Sequence, residues 1–403
     1  MSTPFLLGVN YWPRRKAMGW WRDFEAAEVR QEFAVIQSLG MNLVRLFLLW
    51  EDWQPTANSV DSAALDNLVT VADLAAEHNL HLDITFFTGH MSGPNWVPSW
   101  MLLPDEPMPR GVNQVVSGGN VVNCGYRNPY HDPLVLSAAE LLVRTVVGRL
   151  ASHPAVGIWN LGNEPDLFAI PHTAADGRAW ARHFTQLIKQ IDPVRPVTCG
   201  LHVPDLTEDL NLRVHDIFAE VDMPAIHGYP MYCDWAKGPL DSDFVPYLCA
   251  LTSALCGKPT LAEEFGGCTV GRGEEAAVWE WTGFGRPRTQ YMASEEAFAT
   301  YIGEVLPKLV QVGALGAVLW CFADYVPELW SQPPCDEAIH ERFFGLVRPD
   351  GSLKPHAEVI RQFAATQPTV QPAQRTVALD VSAEEYYANP TAHAQRLYRD
   401  FGF

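Results

Sequence analysis

The sequence predicts an α/β fold, a (β/α)8 barrel carrying long loops on one face and a short C-terminal appendage. Three observations point there. Short apolar runs alternate with amphipathic helical stretches from residue 5 to residue 366, and the runs number eight. A chain of 403 residues is also long enough for one large barrel. A doubly wound sheet would share the alternation, but the count of eight favours closure.

Strands are expected at residues 6–10, 42–48, 81–86, 157–162, 196–199, 223–227, 260–263 and 315–320. Their apolar character on both faces is that of parallel strands covered by helices. The helix expected over 24–39 places Phe24, Ala27, Phe33 and Ile36 in a helical rhythm and stops at Gly40. The next, 61–78, opens on Asp61 as an N-cap and keeps Leu65, Leu68, Ala72 and Leu74 together. Further helices are expected at 133–151, 173–191, 244–256, 294–312 and 355–364, and the fifth, within 205–221, has the most ragged pattern.

Three connections are far longer than the rest: 88–132, 266–293 and 321–354, after the third, seventh and eighth strands. Loops of this length are either functional or disordered. Their tryptophans (Trp96, Trp100, Trp279, Trp281, Trp330) argue for order. In a barrel all three emerge where active sites are built. Residues 1–366 thus read as the barrel and 367–403 as a tail packed on it, with a Pro/Gln linker, a strand-like run at 376–379 and a helix ending at Tyr398.

The net charge is −19, from 28 Lys and Arg against 47 Asp and Glu, which opposes nucleic acid or an anionic membrane as partner. No signal peptide is read at the N-terminus and no apolar run approaches the roughly 20 residues of a membrane span, so a cytoplasmic protein is expected. The eight cysteines contain no CxxC pair and read as free thiols, with no metal site expected. Self-association into a homo-oligomer is left open.

The chemistry sits at strand ends. The fourth strand runs from an apolar segment into Asn163-Glu164-Pro165, and the seventh ends in Glu263-Glu264-Phe265-Gly266. Two carboxylates at barrel strand ends are the minimum apparatus for glycoside hydrolysis, one protonating the leaving oxygen and the other attacking the anomeric carbon or activating water. Arg45 lies inside an apolar run and, if buried, demands a carboxylate partner. His90, His227, Tyr229 and Trp320 close the third, sixth and eighth strands. Because side chains alternate along a strand, only one of Glu263 and Glu264 is expected to face the barrel axis.

This succession resembles glycoside hydrolase family 5 of clan A over nearly the whole barrel, from Gly8-Val9-Asn10-Tyr11 to Val347-Arg348-Pro349-Asp350-Gly351. The resemblance implies a retaining mechanism without metal or organic cofactor, with Glu164 as acid/base and Glu264 as nucleophile. It implies further that Asn163 binds the sugar 2-hydroxyl and that Arg45 and Tyr229 hold Glu264 ionised. His90 and His227 would bind the terminal sugar, Trp320 would be its platform, and Trp12 and Trp96 would contribute to substrate binding. Glu164, in less polar surroundings, would have the raised pKa of an acid.

The segments Gly8–Arg14, Gly89-His90-Met91-Ser92, Val97–Trp100 and Leu161–Glu164 are similar to the bacterial β-mannosidase branch, from which Pro165 and Asp166 depart. The expected function is therefore an exo-β-mannosidase acting on short oligosaccharides. The alternatives are exo-β-glucosidase or β-galactosidase, endo-β-1,4-mannanase, a barrel that binds carbohydrate without cleaving it, and an enzyme of phosphorylated metabolites using Gly266-Gly267 or Gly271-Arg272-Gly273.

Overall fold

A computed structural model of the chain describes residues 3–402. Eight parallel strands close into a barrel: β1 Leu6–Asn10, β2 Leu43–Leu49, β3 His81–Thr88, β4 Val156–Asn163, β5 Val197–His202, β6 Ala225–Gly228, β7 Leu261–Gly266 and β8 Gly316–Trp320. Each strand pairs with its sequence neighbours, and β8 returns to β1 through Leu6–Gly316 and Val9–Leu319. Eight helices form the outer layer: α1 Ala26–Ser38, α2 Ser62–Glu77, α3 Pro133–Leu150, α4 Ala174–Ile191, α5 Val214–Glu220, α6 Phe244–Cys256, α7 Glu295–Gln311 and α8 Pro355–Ala365.

The local signals act as expected at most ends. Asp61 caps α2 by accepting from the Ala64 amide, and Asp132 and Ser294 cap α3 and α7 in the same way. Gly40 follows α1 at a φ of 76°, a left-handed turn that glycine enters without steric cost. The faces buried between strands and helices are apolar, as with Val29, Phe33 and Ile36 of α1 and Leu142, Val143 and Val146 of α3.

Two differences from the sequence reading stand out. The fifth strand does not stop at Cys199; it continues through Gly200 and Leu201 to His202. The ragged stretch after it is two helices, a short one at Val203–Thr207 and α5 at Val214–Glu220, because the chain turns twice to reach β6. The long loops are ordered. The β3 loop holds a small three-stranded sheet (Asn95–Trp96, Val115–Ser117, Asn120–Val122), and the β7 loop is a hairpin of Ala277–Gly283 and Arg286–Met292. The β8 loop carries the 3-10 turns Pro327–Leu329 and Ile339–Phe343.

The tail contains the helices Ala383–Tyr386 and α9 Pro390–Phe401, but residues 376–379 form no strand; they find no neighbouring edge to pair with. Its anchors are side-chain hydroxyls donating to backbone carbonyls of the barrel loops, Tyr386 to Leu206 at 2.7 Å and Tyr387 to Asp205 at 2.6 Å. Tyr247 of α6 donates back to the Ala394 carbonyl at 2.5 Å. No helix among the described residues is long and apolar enough to cross a membrane.

The tail's contribution is measurable. Tyr386 is fully buried, and truncating a core aromatic costs about 3–5 kcal/mol. Tyr386→Ala should therefore lower the melting temperature by several degrees, whereas an unchanged melt would show that the tail is not docked in solution.

Candidate active site

The interior of a (β/α)8 barrel is usually filled by branched apolar side chains. Here the layer beneath the C-terminal mouth is polar and is built around Arg45 of β2, which is fully buried. Its Nε donates to Thr85 of β3 at 3.1 Å, and one terminal nitrogen donates to Asn10 of β1 at 3.0 Å and to Glu264 of β7 at 3.1 Å. The other terminal nitrogen donates to Asn163 of β4 at 3.0 Å and lies 3.4 Å from Glu263. Every nitrogen of the guanidinium meets an acceptor, as burial of a charge requires, and its flat face lies 4.7 Å from the Phe47 ring centre. Asn10 extends the network by donating to the Glu263 and Leu319 carbonyls, tying β1 to β7 and β8.

Glu263 and Glu264 both reach this network, against the expectation that one would turn away. The reason is a bulge. Ile226 and His227 are consecutive on β6, yet their partners on β7 are Ala262 and Glu264, so Glu263 is an extra residue in the ladder. The register slips at the same place against β8. A bulge breaks the two-residue alternation and re-aims side chains. Glu264 faces the cavity above, while Glu263 is buried below it, accepting from Asn160 at 3.0 Å and lying 3.2 Å from His227.

Gly200 of β5 makes room for this layer. A Cβ there would stand 2.7 Å from Glu263 Oε2, 2.7 Å from His227 Nε2 and 2.9 Å from an Arg45 nitrogen. Beneath it, Asp83 of β3 is fully buried, and burial together with the charge of Glu263 raises its pKa well above the usual carboxylate range.

Glu164 enters from the end of β4. Its backbone is left-handed, at φ 44° and ψ 58°, a conformation that costs a non-glycine residue about 1–3 kcal/mol and occurs where function selects it. Its amide donates to the Gly200 carbonyl at 2.9 Å, and Pro165 opens a one-turn helix immediately after it. Its carboxylate lies 3.0 Å from Nδ1 of His227 and 3.5 Å from Nδ1 of His202. Tyr229 donates to Glu264 Oε1 at 2.6 Å. The oxygens of Glu164 and Glu264 approach within 4.8 Å of each other and of His227.

The electrostatics reverse both halves of the expected split, in which Glu164 would be raised and Glu264 held ionised by Arg45 and Tyr229. Glu164 is not in less polar surroundings. Burial works to raise its pKa, but the charges of His202 and His227 overcome that and hold it well below the usual carboxylate range. Glu264 is raised, by burial and by the charge of Glu164, with His227, Arg45 and Tyr229 opposing. Both histidines resist burial because anions face them. His202, beside Asp166 and Glu164, is pushed up to about 10, and His227, beside Glu264, to about 9. His90 Nδ1 donates to the Asn95 Oδ1 at 2.7 Å, and burial lowers its pKa.

Glu164, Glu264, Asn163, His90, His227, Tyr229 and Trp320 all line one cavity of about 600 Å³, a size that suits a small ligand. Arg45 is beneath it and acts through Glu264 and Asn163 rather than on a ligand. Trp12 and Trp96 do not line the cavity, which corrects their expected role. Trp12 is stacked on Phe47 at 5.1 Å, and Phe47 in turn meets Trp320 edge-on, so Trp12 lies one layer behind the platform. Trp96 is buried in the β3-loop sheet with its indole nitrogen donating to the Met91 carbonyl.

Among the lining residues that escaped the sequence reading are two ionisable ones, His202 and Glu341. His202 was hidden by ending β5 too early, although a His at a strand end followed by Val-Pro-Asp repeats the pattern of His90 and His227. Glu341, raised by burial to about 7, sits in a loop with no periodic signal. The groups Glu164–His227–Glu264 and Asp166–His202–Asp205 have the residue types of metal ligands. However, His227 uses both ring nitrogens on carboxylates, and a protonated imidazole cannot ligate, so both groups read as ion-pair networks.

Three loops close one end of the cavity. Ser92 of the β3 loop donates to Glu341 of the β8 loop at 3.0 Å, and Arg286 and Arg288 of the β7 hairpin both donate to Asn113 of the β3 loop. Trp281 and Phe284 donate to Glu337 of the β8 loop. The other end is edged by Thr207, Glu208, Asp234 and Trp235 of the shorter β5 and β6 loops.

Comparison with known proteins agrees with this picture. The profile of glycosyl hydrolases family 2, TIM barrel domain, matches residues 105–266. The chain is 24% identical over 139 residues to a β-galactosidase of Geobacillus kaustophilus, covering 33% of this chain and 18% of that protein. It is 24% identical over 272 residues to mannan endo-1,4-β-mannosidase A of Hypocrea jecorina, covering 60% of this chain and 56% of that one. The chain thus spans about a fifth of the β-galactosidase and just over half of the mannanase. Among solved structures, an exo-β-1,4-mannosidase from Opitutaceae bacterium strain TAV5 superposes with a TM-score of 0.72 at 23% identity, covering 91% of this chain and 60% of that one. A GH5_18 protein of Streptomyces cattleya in complex with Manβ1-4GlcNAc gives 0.76 at 20% identity, covering 98% and 91%. These two structural neighbours are members of glycoside hydrolase family 5, the family the sequence resembles, and they share the barrel fold.

Two outcomes follow from the buried layer. Gly200→Ala should cost about 1–3 kcal/mol by overpacking; a wild-type melting curve would contradict the packing described. The raised histidines add stability that is fully present below their unfolded pKa of 6.5 and is lost as pH rises through about 9 to 10. Melting temperature should therefore fall across that window, and less steeply in His202→Gln.

Proposed function

We propose that this chain is a retaining β-glycosidase that removes terminal sugars, with β-mannosides as its substrates. The observation that carries the reading is that one carboxylate oxygen of Glu164 and one of Glu264 lie within 4.8 Å of each other, close enough for the shorter of the two known spacings. Retaining enzymes hold their carboxyl groups about 5–5.5 Å apart, whereas inverting ones need roughly 6.5–9.5 Å to admit a water. The end of the cavity closed by three loops supports cleavage at a chain terminus rather than along a polymer.

In the first step Glu264 forms a bond to the anomeric carbon as the glycosidic bond breaks, and Glu164 delivers a proton to the departing oxygen. Arg45 and Tyr229 hold the attacking oxygens in place. Glu164 shares its environment with the protonated His227 at 3.0 Å, so the proton belongs to the pair and reaches the leaving group through Glu164. Bond formation removes the negative charge of Glu264. In the second step Glu164 takes a proton from water, which attacks the same carbon and frees Glu264. Trp320, below the sugar, supplies an apolar face.

The mannosyl preference rests on two kinds of support: the sequence similarity to the β-mannosidase branch, and structural neighbours described as a mannosidase or holding a mannosyl disaccharide. β-Galactoside cleavage is the second reading, favoured by the β-galactosidase match.

A panel of p-nitrophenyl β-glycosides tests the proposal. Mannoside turnover should exceed glucoside and galactoside turnover, and Glu164→Ala should reduce it by about 10²–10⁴-fold, as for loss of a general acid. Azide should rescue Glu264→Ala with a glycosyl azide of inverted configuration. Rescue of Glu263→Ala instead would reassign the nucleophile, and equal or absent mannoside turnover would remove mannose as the substrate.

A further inference from the structure

One buried carboxyl in the cavity takes no part in the steps above. Glu341 lies on the 3-10 turn Ile339–Phe343 of the β8 loop and is only 9% exposed. It lines the same cavity as Trp320, Ser92 and the two catalytic glutamates. Its Oε2 accepts from Ser92 at 3.0 Å. Its one basic neighbour within 4 Å among the described residues is His340, 3.7 Å away, and burial keeps that imidazole neutral by lowering it to about 4.

A buried carboxyl without a cation is costly unless hydrogen bonds satisfy it. Ser92 supplies one and the Trp320 indole N–H a second, and the remaining acceptor sites border the space a ligand would fill. The other buried carboxyls that line the cavity face basic groups: Glu164 faces His227 and His202, and Glu264 faces Arg45. Glu341 is the exception, and it stands where the β3, β7 and β8 loops meet.

We infer that Glu341, braced by Ser92, reads the identity of the terminal sugar by hydrogen bonding to its hydroxyls. This deepens the exo-glycosidase reading and rests on it. The position fixes which hydroxyls are involved. The anomeric carbon must lie between Glu164 and Glu264, and the closed end of the cavity receives the side of the ring away from it. Glu341 therefore bonds hydroxyls remote from the anomeric carbon, those on carbons 3, 4 or 6. A carboxyl group can serve two neighbouring hydroxyls at once, and a site built to bond a hydroxyl discriminates strongly against a sugar lacking it. Ser92, itself at a φ of 56°, is held by a strained turn that brings its hydroxyl to the carboxyl.

The test compares kcat/KM of wild type, Glu341→Gln and Glu341→Ala on p-nitrophenyl β-mannoside and on its 3-, 4- and 6-deoxy analogues. Wild type should lose at least tenfold on one or two analogues. Glu341→Ala should lose at least tenfold on the parent sugar but little more on those same analogues, since the partner hydroxyl is already gone. Glu341→Gln, which keeps the shape and one acceptor, should fall between and should melt near wild type, so that it carries the comparison if the alanine variant folds poorly. An equal loss on the parent and every analogue would overturn the inference and leave Glu341 as a loop support. If wild type turned over no glycoside in the panel, the inference would fall together with the reading beneath it. Turnover with unchanged analogue selectivity in the variants would overturn this inference alone.

Discussion

The burial of Arg45 is the constraint on which the rest of the site depends. A guanidinium inside a barrel cannot shed its charge, so acceptors must surround it on every side. Asn10, Thr85, Asn163, Glu263 and Glu264 come from β1, β3, β4 and β7, and each is positioned by its bond to Arg45 or to another member of the layer. The barrel therefore spends its central layer on polar contacts instead of apolar packing. In return, Glu264 and Asn163 are held from below and present fixed groups to the cavity.

A second charge layer stands on the first. His227 joins Glu263 beneath to Glu164 above through its two ring nitrogens, and His202 reaches Glu164 from the other side with Asp166 behind it. The acid/base candidate is thus embedded among charges rather than isolated in an apolar pocket. In the proposed mechanism proton donation would be a property of the Glu164–His227 pair, set by the charge of its neighbours, and the carboxylate's proximity to Glu264 couples the two glutamates.

The outer walls decide what enters. Loops from β3, β7 and β8 bind one another at Ser92–Glu341, at Asn113 with Arg286 and Arg288, and at Glu337 with Trp281 and Phe284. These contacts shut one end and leave the β5 and β6 side as the approach. The same barrel with shorter loops would present an open cleft, so on the proposed reading terminal cleavage rests on the loops and not on the two glutamates.

The fold class, the eight strands, most helix caps and the residues at the ends of β2, β3, β4, β6, β7 and β8 were legible in the sequence, because periodicity and capping are local properties. Strand-end chemistry was legible for the same reason: a polar residue after an apolar run marks its own place. The tertiary structure alone decided the matters that depend on contacts between distant segments. The bulge at Glu263 exists only in the pairing of β7 with β6 and β8, and no pattern within β7 announces it. His202 joined the site because β5 extends alongside β4 and β6, past the glycine at which the apolar pattern weakens. Trp12 and Trp96 were expected to contribute to substrate binding, yet packing placed other side chains in front of them. Glu341 carried no local signal; its meaning comes from a loop folding back beside Trp320. Sequence determines which groups a strand end offers, and only the closed barrel and its loops determine what those groups face.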